Sequence, residues 1–587
     1  MASDLASKVA GLNPFGSKNK GKGKGKIEED DQGEGIDARG AGSRVYHGVS
    51  RREIRISPAL KSYLVQNKTL SEDEADADNE GNTTEGLRRF VERPYVNIPR
   101  SATDFSHKLP DYFISSSHNT YLMAHQLYGT TCASAYEAAI KAGSRCVEID
   151  AWDNSDHPDE PKVTHGYTLV SNIPFRLVCE TLRNIYDEER EEADKKVHTD
   201  CPALTPIIIS LENHCGAKGQ KRLVEIMLEV LGDRLLAKPM VIGSKEHIPL
   251  AQLGHKIVVI VEFHMVGEAS DDSDSSASDS PDSSDEEEDR TARKQYKDKK
   301  NQGKETSSVI IPELAELGVY AQSVKPPDNS WFETGTLANG PHHPLINVSE
   351  TGLAAHLPAN AVSVAKHNAN HLMRVYPKGT RISSSNLKPV PFWNVGAQIC
   401  ALNGQNFGTS NQINDALFIG TGGYVLKPAP LREGGSGTLS TGRKVTLRLH
   451  LAGASDVPIP KGVDADDLRP YASCTLFHVD NMGRDPPKRR TSPYKPSKLG
   501  FLHKGGSPPS TDPVWDEVLE WEYDYNELTF IRILIKNDVS WAGNSNMLTL
   551  AVRLSYVTQG WTLLRMLDLK GNDTACSILA KFEFVDA

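Results

Sequence analysis

Residues 112–121 read YFISSSHNTY, so that an apolar run ends in a polar group with a histidine and an asparagine. Residues 207–214, IIISLENH, repeat this arrangement and end in a glutamate and a histidine. Two more polar motifs lie between them, VEIDAWD at 147–153 and THGY at 164–167. Polar side chains at the ends of buried strands are typical of TIM-type barrels. The four motifs therefore predict an α/β barrel with one site built from successive strand ends.

Glu148 and Asp150 of the second motif are two residues apart. Alternate residues of a strand point to the same face, so both carboxylates face one side of the sheet. Buried carboxylates need a partner, and the pair alone indicates either a metal site or an ion pair. A lone His118 or Glu212 would more often be an ordinary loop residue than a catalytic one. Their joint occurrence, in order and at a spacing that suits consecutive strand and helix units, favours a metal site.

In these motifs the chain resembles the eukaryotic phosphoinositide-specific phospholipase C family, in a short, delta-like and fungal form without a pleckstrin-homology domain. The resemblance assigns residues 105–265 to the X half of the barrel, 309–432 to the Y half and 440–587 to an all-β C2 sandwich. The second half carries motifs similar to those of the family. These are RVYP at 374–377, SSSN at 383–386, WNVGAQ at 393–398 and GGYVLKP at 422–428.

The resemblance implies a calcium ion at the strand ends of the barrel. Its ligands would all be oxygen atoms, which suits a hard cation. Lewis-acid coordination would lower the pKa of the inositol 2-hydroxyl. The implied metal ligands are Asn119, Glu148, Asp150 and Glu212.

The reaction that the resemblance implies is cleavage of phosphatidylinositol or its phosphates to diacylglycerol and an inositol phosphate through a cyclic phosphate. Either Glu148 or Glu212 would take the proton of the 2-hydroxyl, and both alternatives stay open. His118 would stabilise the charge that develops on the phosphoryl oxygens. His165 would protonate the departing diacylglycerol oxygen.

Substrate recognition is where the sequence departs from the family. Arg374 and Tyr376 match its ring-phosphate contact and its stacking aromatic residue, and a guanidinium binds phosphate well. The two alternating lysines that hold ring phosphates are replaced by Ile260 and Glu262, and the serine of the second half is replaced by Asn347. An acidic group beside a bisphosphorylated ring is repulsive. We therefore expect either a less phosphorylated substrate or compensation by lysines from another loop.

The composition, 587 residues with 38% hydrophobic content, suits two or three globular domains. No apolar run approaches the length of a membrane span, and residues 1–26 are rich in Gly, Lys and Ser rather than apolar like a secretion signal. Eight scattered cysteines without a CxxC pair indicate reduced thiols. We predict a cytoplasmic protein that associates peripherally with phosphoinositide-containing membranes, with no nucleic-acid partner.

The chain before the barrel is predicted to be a disordered tail, 1–45, and a degenerate EF-hand-like helical segment, 46–104. A calcium-loop pattern begins at Asp76, but its twelfth position is Leu87 in place of the bidentate glutamate. The alternative is a solvated acidic loop. In either case, no calcium site is predicted there.

Residues 266–308 form an acidic, serine-rich linker followed by a basic stretch. It has few apolar residues to offset its ordering entropy, so we predict that it is disordered. The resemblance implies that it inhibits the active site, and its charge would be repelled by anionic lipid. The alternative is a passive insertion.

From residue 441 the pattern changes to strand-like alternation, which predicts a β-sandwich. The resemblance to C2 domains fails at the calcium loops. The family aspartate before a proline is replaced by Arg469, and the later acidic pair reads Asn537-Asp538. We expect a structural or calcium-independent lipid-contacting domain.

Two other classes of function are alternatives to a phospholipase C. A catalytically weak phosphoinositide-binding scaffold is disfavoured because both histidines and all four implied metal ligands are retained. A barrel phosphodiesterase of soluble glycerophosphodiesters is disfavoured by the motifs of the second half and by the C2 domain.

Overall fold

The computed structural model describes residues 54–79, 81, 84–123, 130–166, 170–195, 204–244, 246–263, 309–324, 329–333, 337, 340–379, 381, 384–481, 486–496, 507–538 and 545–586. The predicted tail at 1–45 and the predicted linker at 266–308 lie outside these residues.

Strands of a barrel come first in the chain and strands of a sandwich follow. They are β1 Tyr112–Ile114, β2 Ser117–His118, β3 Cys146–Trp152, β4 Lys162–Val163, β5 Ile173–Pro174, β6 Ile207–His214, β7 Ile257–Phe263, β8 Gln322–Val324, β9 Pro344–Ser349, β10 Leu372–Tyr376, β11 Ile399–Cys400, β12 Leu402–Asn403, β13 Tyr424–Leu426, β14 Lys444–Ser455, β15 Pro470–Phe477, β16 Lys488–Arg490, β17 Val514–Asp524, β18 Phe530–Asn537, β19 Asn546–Arg553, β20 Gly560–Leu567 and β21 Asp573–Asp586.

The α-helices of the described residues precede and surround the barrel. They are α1 Pro58–Gln66, α2 Glu72–Ala75, α3 Glu85–Glu92, α4 Ser134–Lys141, α5 Phe175–Lys195, α6 Ala217–Leu231, α7 Leu250–Leu253, α8 Pro312–Ala315, α9 Glu350–Ala354, α10 Ala361–Asn368, α11 Val390–Asn394 and α12 Thr409–Phe418. Within the described ranges, none of them combines the length and the apolarity that a membrane crossing requires.

Eight parallel strands form the barrel, in the spatial order β1, β11, β10, β9, β8, β7, β6, β3. A parallel bridge between Ser116 and Cys146 joins the continuation of β1 to β3 and closes the ring. The strands β1, β3, β6 and β7 precede the predicted linker, and β8 to β11 follow it. The predicted TIM-type barrel, split into two halves, is therefore confirmed.

Barrel strands bury both faces, which explains why they read as continuous apolar runs rather than alternating ones. In β7, Val259 and Val261 pack in the core that is shared with α5 and α6. Val258 and Ile260 pack on the other side, in the interior of the barrel with Ile208. Both faces of the strand are therefore apolar, and polar side chains can lie together at the strand ends.

The C-terminal domain is an eight-stranded antiparallel sheet in the order β16, β15, β18, β19, β20, β21, β14, β17. Along β14, Val445, Leu447 and Leu449 are buried in the sandwich core, whereas Thr446 and Arg448 between them are partly exposed. The all-β class that was predicted from this alternation is confirmed.

The helical segment before the barrel packs on the C2-like sandwich. Leu87, the twelfth residue of the calcium-loop pattern, lies in an apolar core with Trp561 of β20. Arg55 forms ion pairs with Asp456 at 2.8 Å and with Asp512 at 2.5 Å, both in the sandwich. This segment therefore belongs structurally with the C-terminal domain, although it lies at the other end of the sequence.

The barrel and the sandwich meet along α12. The Gln412 side-chain oxygen accepts hydrogen bonds from Arg532 Nε at 2.6 Å and from Thr549 Oγ1 at 2.7 Å. All three side chains are buried. A buried polar contact of this kind fixes the orientation of the two domains because each group needs its partner.

Candidate active site

The carboxyl ends of β3 and β6 bring three predicted carboxylates together. In the parallel register, Asp150 lies directly opposite Glu212. Glu148 is two residues before Asp150 on the same face. Carboxylate oxygens of Glu148, Asp150 and Glu212 lie within 4.8 Å of one another. Among the described residues, this is the one group of three or more His, Cys, Asp or Glu side chains found that could hold a metal ion.

The carboxylate cluster fits a cation. Asp150 Oδ1 is buried and has no hydrogen-bond partner in the protein. Burial, together with the neighbouring charges of Glu212 and Glu148, raises the pKa of Asp150 well above its ordinary value. Three carboxylates this close repel one another unless a proton or a cation compensates their charge. An all-oxygen set of this kind suits a hard cation such as calcium.

Asn119, the fourth predicted ligand, is held against this cluster by its own backbone. It adopts a left-handed conformation with φ of 43°, which asparagine tolerates better than most residues. Its N–H donates to Glu148 Oε2 at 2.6 Å. The hydroxyl of Tyr121 lies within hydrogen-bond distance of Asp150 Oδ2 and 3.1 Å from Asn119 Oδ1. Tyr121 therefore ties two predicted ligands together.

His118 lies beside the cluster with one ring nitrogen fixed. Its Nδ1 is 2.8 Å from Asn403 Oδ1, and Asn403 Nδ2 donates to the carbonyl oxygen of Ser385 at 2.8 Å. Because that second bond orients the amide, Nδ1 carries the hydrogen. Nε2 then faces Glu148 Oε2 at 4.0 Å. Burial lowers the pKa of His118, and the charge of Glu148 opposes this.

Arg374, a predicted substrate contact, is buried and paired with Glu148. Its Nη2 lies 2.6 Å from Glu148 Oε1, and its Nη1 donates to Asn347 Oδ1 at 3.2 Å. Asn347 lies directly opposite Arg374 in the pairing of β9 with β10. The guanidinium lies 5.8 Å from the centre of the Tyr376 ring. The structure thus brings Arg374 and Tyr376 to the carboxylate cluster.

Glu212 is the most open of the three carboxylates, with 46% of its side-chain surface exposed. Its Oε1 lies 3.2 Å from His214 Nε2. Burial would raise the pKa of Glu212, but the hydrogen bond and charge of His214, with Arg374, hold this pKa below its usual range. His165 comes two residues after β4, the strand that pairs with β3. The strand β4 runs antiparallel to β3, and the N–H of Thr164 donates to the carbonyl oxygen of Asp150 at 3.3 Å, so the predicted general acid follows a residue that is bonded to the backbone of a predicted metal ligand.

Ile260 and Glu262 occupy the two positions of β7 at which the family resemblance implies lysines. Ile260 is 3% exposed in the apolar interior of the barrel. Glu262 is half-buried two residues further along β7, opposite Ser323 of β8. Both residues are on the interior face, and Glu262 is the one closer to the strand end.

The two altered positions of the predicted C2 calcium loops come together in the sandwich. The N–H of Arg469 donates to Asn537 Oδ1 at 2.8 Å, and the N–H of Asp538 donates to the carbonyl oxygen of Arg469 at 3.0 Å. Arg469 thus stands in the described part of the loop where the resemblance expects an aspartate. Residues 497–506 and 539–544 lie outside the described ranges.

Three side chains in contact with the site were not assigned a role from the sequence: Tyr121, His214 and Asn403. His214 stands two residues after Glu212, and this spacing on a strand was a usable signal that both share a face. Tyr121 stands two residues after Asn119, but a turn separates them, so periodicity gives no direction. Asn403 is 285 residues from His118, and no local pattern links the two.

Comparison with solved structures shows the same architecture. PLC21 of S. officinalis matches with a TM-score of 0.66 at 23% identity, over 91% of this chain and 65% of that chain. PLC21 of L. pealei matches with a TM-score of 0.65 at 24% identity, over 90% and 62%. Fold and site together define the class: a split TIM-type barrel whose strand ends carry a cluster of carboxylates that could hold a cation.

Sequence comparison identifies the family within this class. The X domain of phosphatidylinositol-specific phospholipase C matches residues 105–263, and the Y domain matches residues 314–430. The chain therefore belongs to the phosphatidylinositol-specific phospholipase C family. It is 30% identical to the rat 1-phosphatidylinositol 4,5-bisphosphate phosphodiesterase delta-1, over 89% of this chain and 66% of the relative. It is 29% identical to the Candida albicans 1-phosphatidylinositol 4,5-bisphosphate phosphodiesterase 1, over 86% and 50%. The chain thus spans about half to two thirds of the length of these relatives.

Proposed function

We propose that the protein is a calcium-dependent phosphoinositide phospholipase C that acts on lipid at a membrane surface. The observation that carries this proposal is the cluster of Glu148, Asp150 and Glu212 with the buried, unpartnered Asp150 Oδ1 beside His118. The relatives named as phosphatidylinositol 4,5-bisphosphate phosphodiesterases support the substrate class. The product would be diacylglycerol and an inositol phosphate.

Asn119, Glu148, Asp150 and Glu212 would hold the calcium ion. When bound, the ion supplies Lewis-acid stabilisation of an oxygen anion. Glu148 and Glu212 are the two candidate bases for the inositol 2-hydroxyl, and their surroundings differ. Both oxygens of Glu148 already accept hydrogen bonds, from Arg374 and from the N–H of Asn119. Glu212 is half exposed, and its Oε1 is paired with His214.

His118 would stabilise the phosphoryl oxygens through Nε2. Since Nδ1–H is committed to Asn403, the neutral ring presents an Nε2 lone pair, and donation from Nε2 requires the imidazolium. A bound phosphodiester brings a negative charge that favours this form. His165, on the neighbouring loop, would donate the proton to the leaving diacylglycerol oxygen.

Arg374 and Tyr376 would contact the inositol ring and its phosphate. In the structure the guanidinium is paired with Glu148, and a calcium ion on Glu148 would compete for the same carboxylate. Positive charge held close to the ring suits an anionic headgroup. Retention at a membrane surface is expected because the substrate is a lipid.

The test is hydrolysis of vesicles that contain phosphatidylinositol, its 4-phosphate or its 4,5-bisphosphate, with calcium and with a chelator. Release of water-soluble inositol phosphate should require calcium. His118→Ala should lower turnover by about 10² to 10⁴, whereas His157→Ala, at an exposed loop position, should not. Turnover that persists in the chelator, or no turnover of any lipid, would refute the proposal.

A further inference from the structure

Trp152 lies between two parts of the site that have different predicted roles. Its indole ring stacks on the His214 imidazole, with ring centroids 4.0 Å apart and planes at 13°. The backbone of Gly166 packs on the same indole, because a Cβ added to Gly166 would lie 1.9 Å from Trp152 Cζ2. His214 is bonded to Glu212, and Gly166 follows His165. Trp152 therefore touches the neighbours of a predicted metal ligand and of the predicted general acid.

The strands explain this arrangement. Asp150 lies opposite Glu212, and the next pair on the same face is Trp152 opposite His214. The stack is thus one layer beyond the carboxylates, towards the open end of the barrel. Trp152 also pairs with Lys162 of β4, and the chain runs from there to His165. A side chain larger than hydrogen at 166 would collide with the indole and displace this loop.

We propose that Trp152 and His214 are positioning residues that set the Glu212 carboxylate and the loop carrying His165. This inference rests on the proposed function. Glu212 is half exposed, so without His214 its carboxylate is free to occupy several rotamers. Mutation of a side chain that orients a metal ligand typically lowers metal affinity or activity 10- to 100-fold. The stack on Trp152 fixes the His214 ring, which in turn fixes Glu212.

The test of the first arm is calcium affinity of the full chain in the absence of lipid, measured by calorimetry. His214→Phe keeps an aromatic ring on Trp152 but removes the N–H, so it should weaken calcium binding about 10- to 100-fold. His214→Gln retains a donor and should recover part of the affinity. Thermal unfolding checks that both variants fold. Calcium binding by His214→Phe as tight as that of the wild type would overturn the role of His214.

The second arm tests the loop. Gly166→Ala should lower kcat with calcium affinity unchanged, because the Cβ displaces His165 but not Glu212. If the collision with the indole is the cause, Gly166→Ala should add no further loss to Trp152→Ala. Additive losses, or a wild-type kcat for Gly166→Ala, would overturn the role of Trp152.

A wild-type protein that binds calcium but hydrolyses no phosphoinositide would refute the proposed function. The calcium affinity of His214→Phe would still decide whether His214 positions Glu212.

A second, independent observation concerns the loop that begins at Asp76. Lys61 is 0% exposed, and its Nζ donates to the carbonyl oxygens of Asn79 at 2.6 Å and of Gly81 at 2.7 Å. These carbonyls belong to the fourth and sixth positions of the calcium-loop pattern. Burial lowers the pKa of Lys61, and the charge of Asp76 opposes this.

We infer that the ammonium of Lys61, rather than a calcium ion, holds this loop against α1. The carbonyl groups need a cationic or hydrogen-bonding partner, and the lysine supplies it from α1. Leu87 stands where a calcium-binding loop needs a bidentate glutamate, and it packs in the core instead. The helical segment would therefore keep its shape without calcium.

This inference is tested in a chain that carries Asp150→Asn, so that the barrel site does not mask the result. Lys61→Met should lower the melting temperature by several degrees, because it leaves buried carbonyls without a partner. Lys68→Met, at an exposed position beyond α1, is the matched control. Equal melting of the two variants would overturn the inference. So would a calcium-induced rise in melting temperature that Asp76→Asn removes.

Discussion

Tyr121 shows how one hydroxyl can support two metal ligands at once, since it lies within hydrogen-bond distance of both Asp150 and Asn119. Tyr121→Phe should weaken calcium binding about 10- to 100-fold, because the one hydrogen that the hydroxyl shares between Asp150 and Asn119 is lost. Tyr136→Phe is a matched control: the Tyr136 hydroxyl is also buried but donates to the backbone oxygen of Glu148 at 2.9 Å. Calorimetric titration should show lost affinity in the first variant only. Equal affinities would contradict the role of Tyr121.

The position of Glu262 predicts which lipid the enzyme prefers. A carboxylate that faces a ring phosphate is repulsive, and each such contact is worth about 1 to 3 kcal/mol. We expect the wild type to favour phosphatidylinositol or its monophosphate over the 4,5-bisphosphate. Glu262→Gln should reduce this bias, and Ile260→Lys with Glu262→Lys should reverse it, since a lysine stem can extend from the buried position towards the open end.

Competition between lipids in mixed vesicles measures this preference directly. Glu313→Gln, an acidic residue of α8 outside the site, is the control for a change in net charge. A wild type that already prefers the 4,5-bisphosphate by a wide margin would show that other cations fill the pocket. The interpretation of β7 would then be wrong.

Individual site residues were predictable where they sit on strands. Glu148 and Asp150 were placed on one face by their spacing alone, and the structure puts their oxygens within reach of one cation. Asn403 was beyond reach, because its contact with His118 depends on the pairing of β2 with β12 across the two halves of the chain. Long-range partners of this kind leave no local pattern.

At the scale of elements, the long strands β3, β6 and β7 were visible as apolar runs. Strands of two residues, such as β4 and β5, carry too few side chains for a period to be recognised. The calcium-loop pattern is the most instructive element. Its sequence showed what was missing at Leu87, but not that Lys61, fifteen residues before the loop, supplies a cation to it.

Two histidines lie in the loops that precede the barrel strands, at the end opposite the candidate site. They predict that the stability of the protein falls in acid. The rings of His247 and His343 lie 4.3 Å apart, and His343 is the residue before β9. Burial lowers the pKa of His247 to about 3 and that of His343 to about 4. His371 and Lys108 add repulsion at His247, and His342 adds it at His343.

These histidines bind protons more readily in the unfolded chain, where their pKa is about 6.5. Stability is therefore complete above about pH 6.5 and falls as the pH drops towards 4, with a slope of about 1.4 kcal/mol per pH unit for each histidine. Melting of the wild type and of His343→Phe from pH 7 to pH 4 checks this. The variant should lose less stability on acidification. His157→Gln, an exposed histidine, is the control, and parallel curves for the wild type and His343→Phe would contradict the prediction.

The whole molecule is assembled from distant parts of the sequence. The two halves of the barrel contribute four parallel strands each, and the helical segment before the barrel packs on the C-terminal sandwich. The order of domains could be predicted from motifs. The docking of the N-terminal segment on the sandwich could not, because it depends on ion pairs such as Arg55 with Asp456, 401 residues apart.

The contact between barrel and sandwich gives a prediction for the whole chain. Gln412 accepts hydrogen bonds from Arg532 and Thr549, and its own Nε2 donates to the carbonyl oxygen of Phe407 at 2.6 Å. Gln412→Leu should lower the free energy of unfolding by about 3 kcal/mol, because it deprives a buried arginine of an acceptor. Gln252→Leu, at an exposed position of α7, is the control.

Chemical denaturation of the full chain, followed by fluorescence and by circular dichroism, measures this loss. If the two domains stabilise each other through this contact, Gln412→Leu should also separate their unfolding into two transitions, since the sandwich would no longer be tied to α12. Wild-type stability and a single transition in the variant would show that the apolar contacts around α12 hold the domains together without the glutamine. Calcium should stabilise the wild type and Gln412→Leu by the same amount, so the difference between them should remain, because the contact lies in α12 and the sandwich rather than among the carboxylates of β3 and β6.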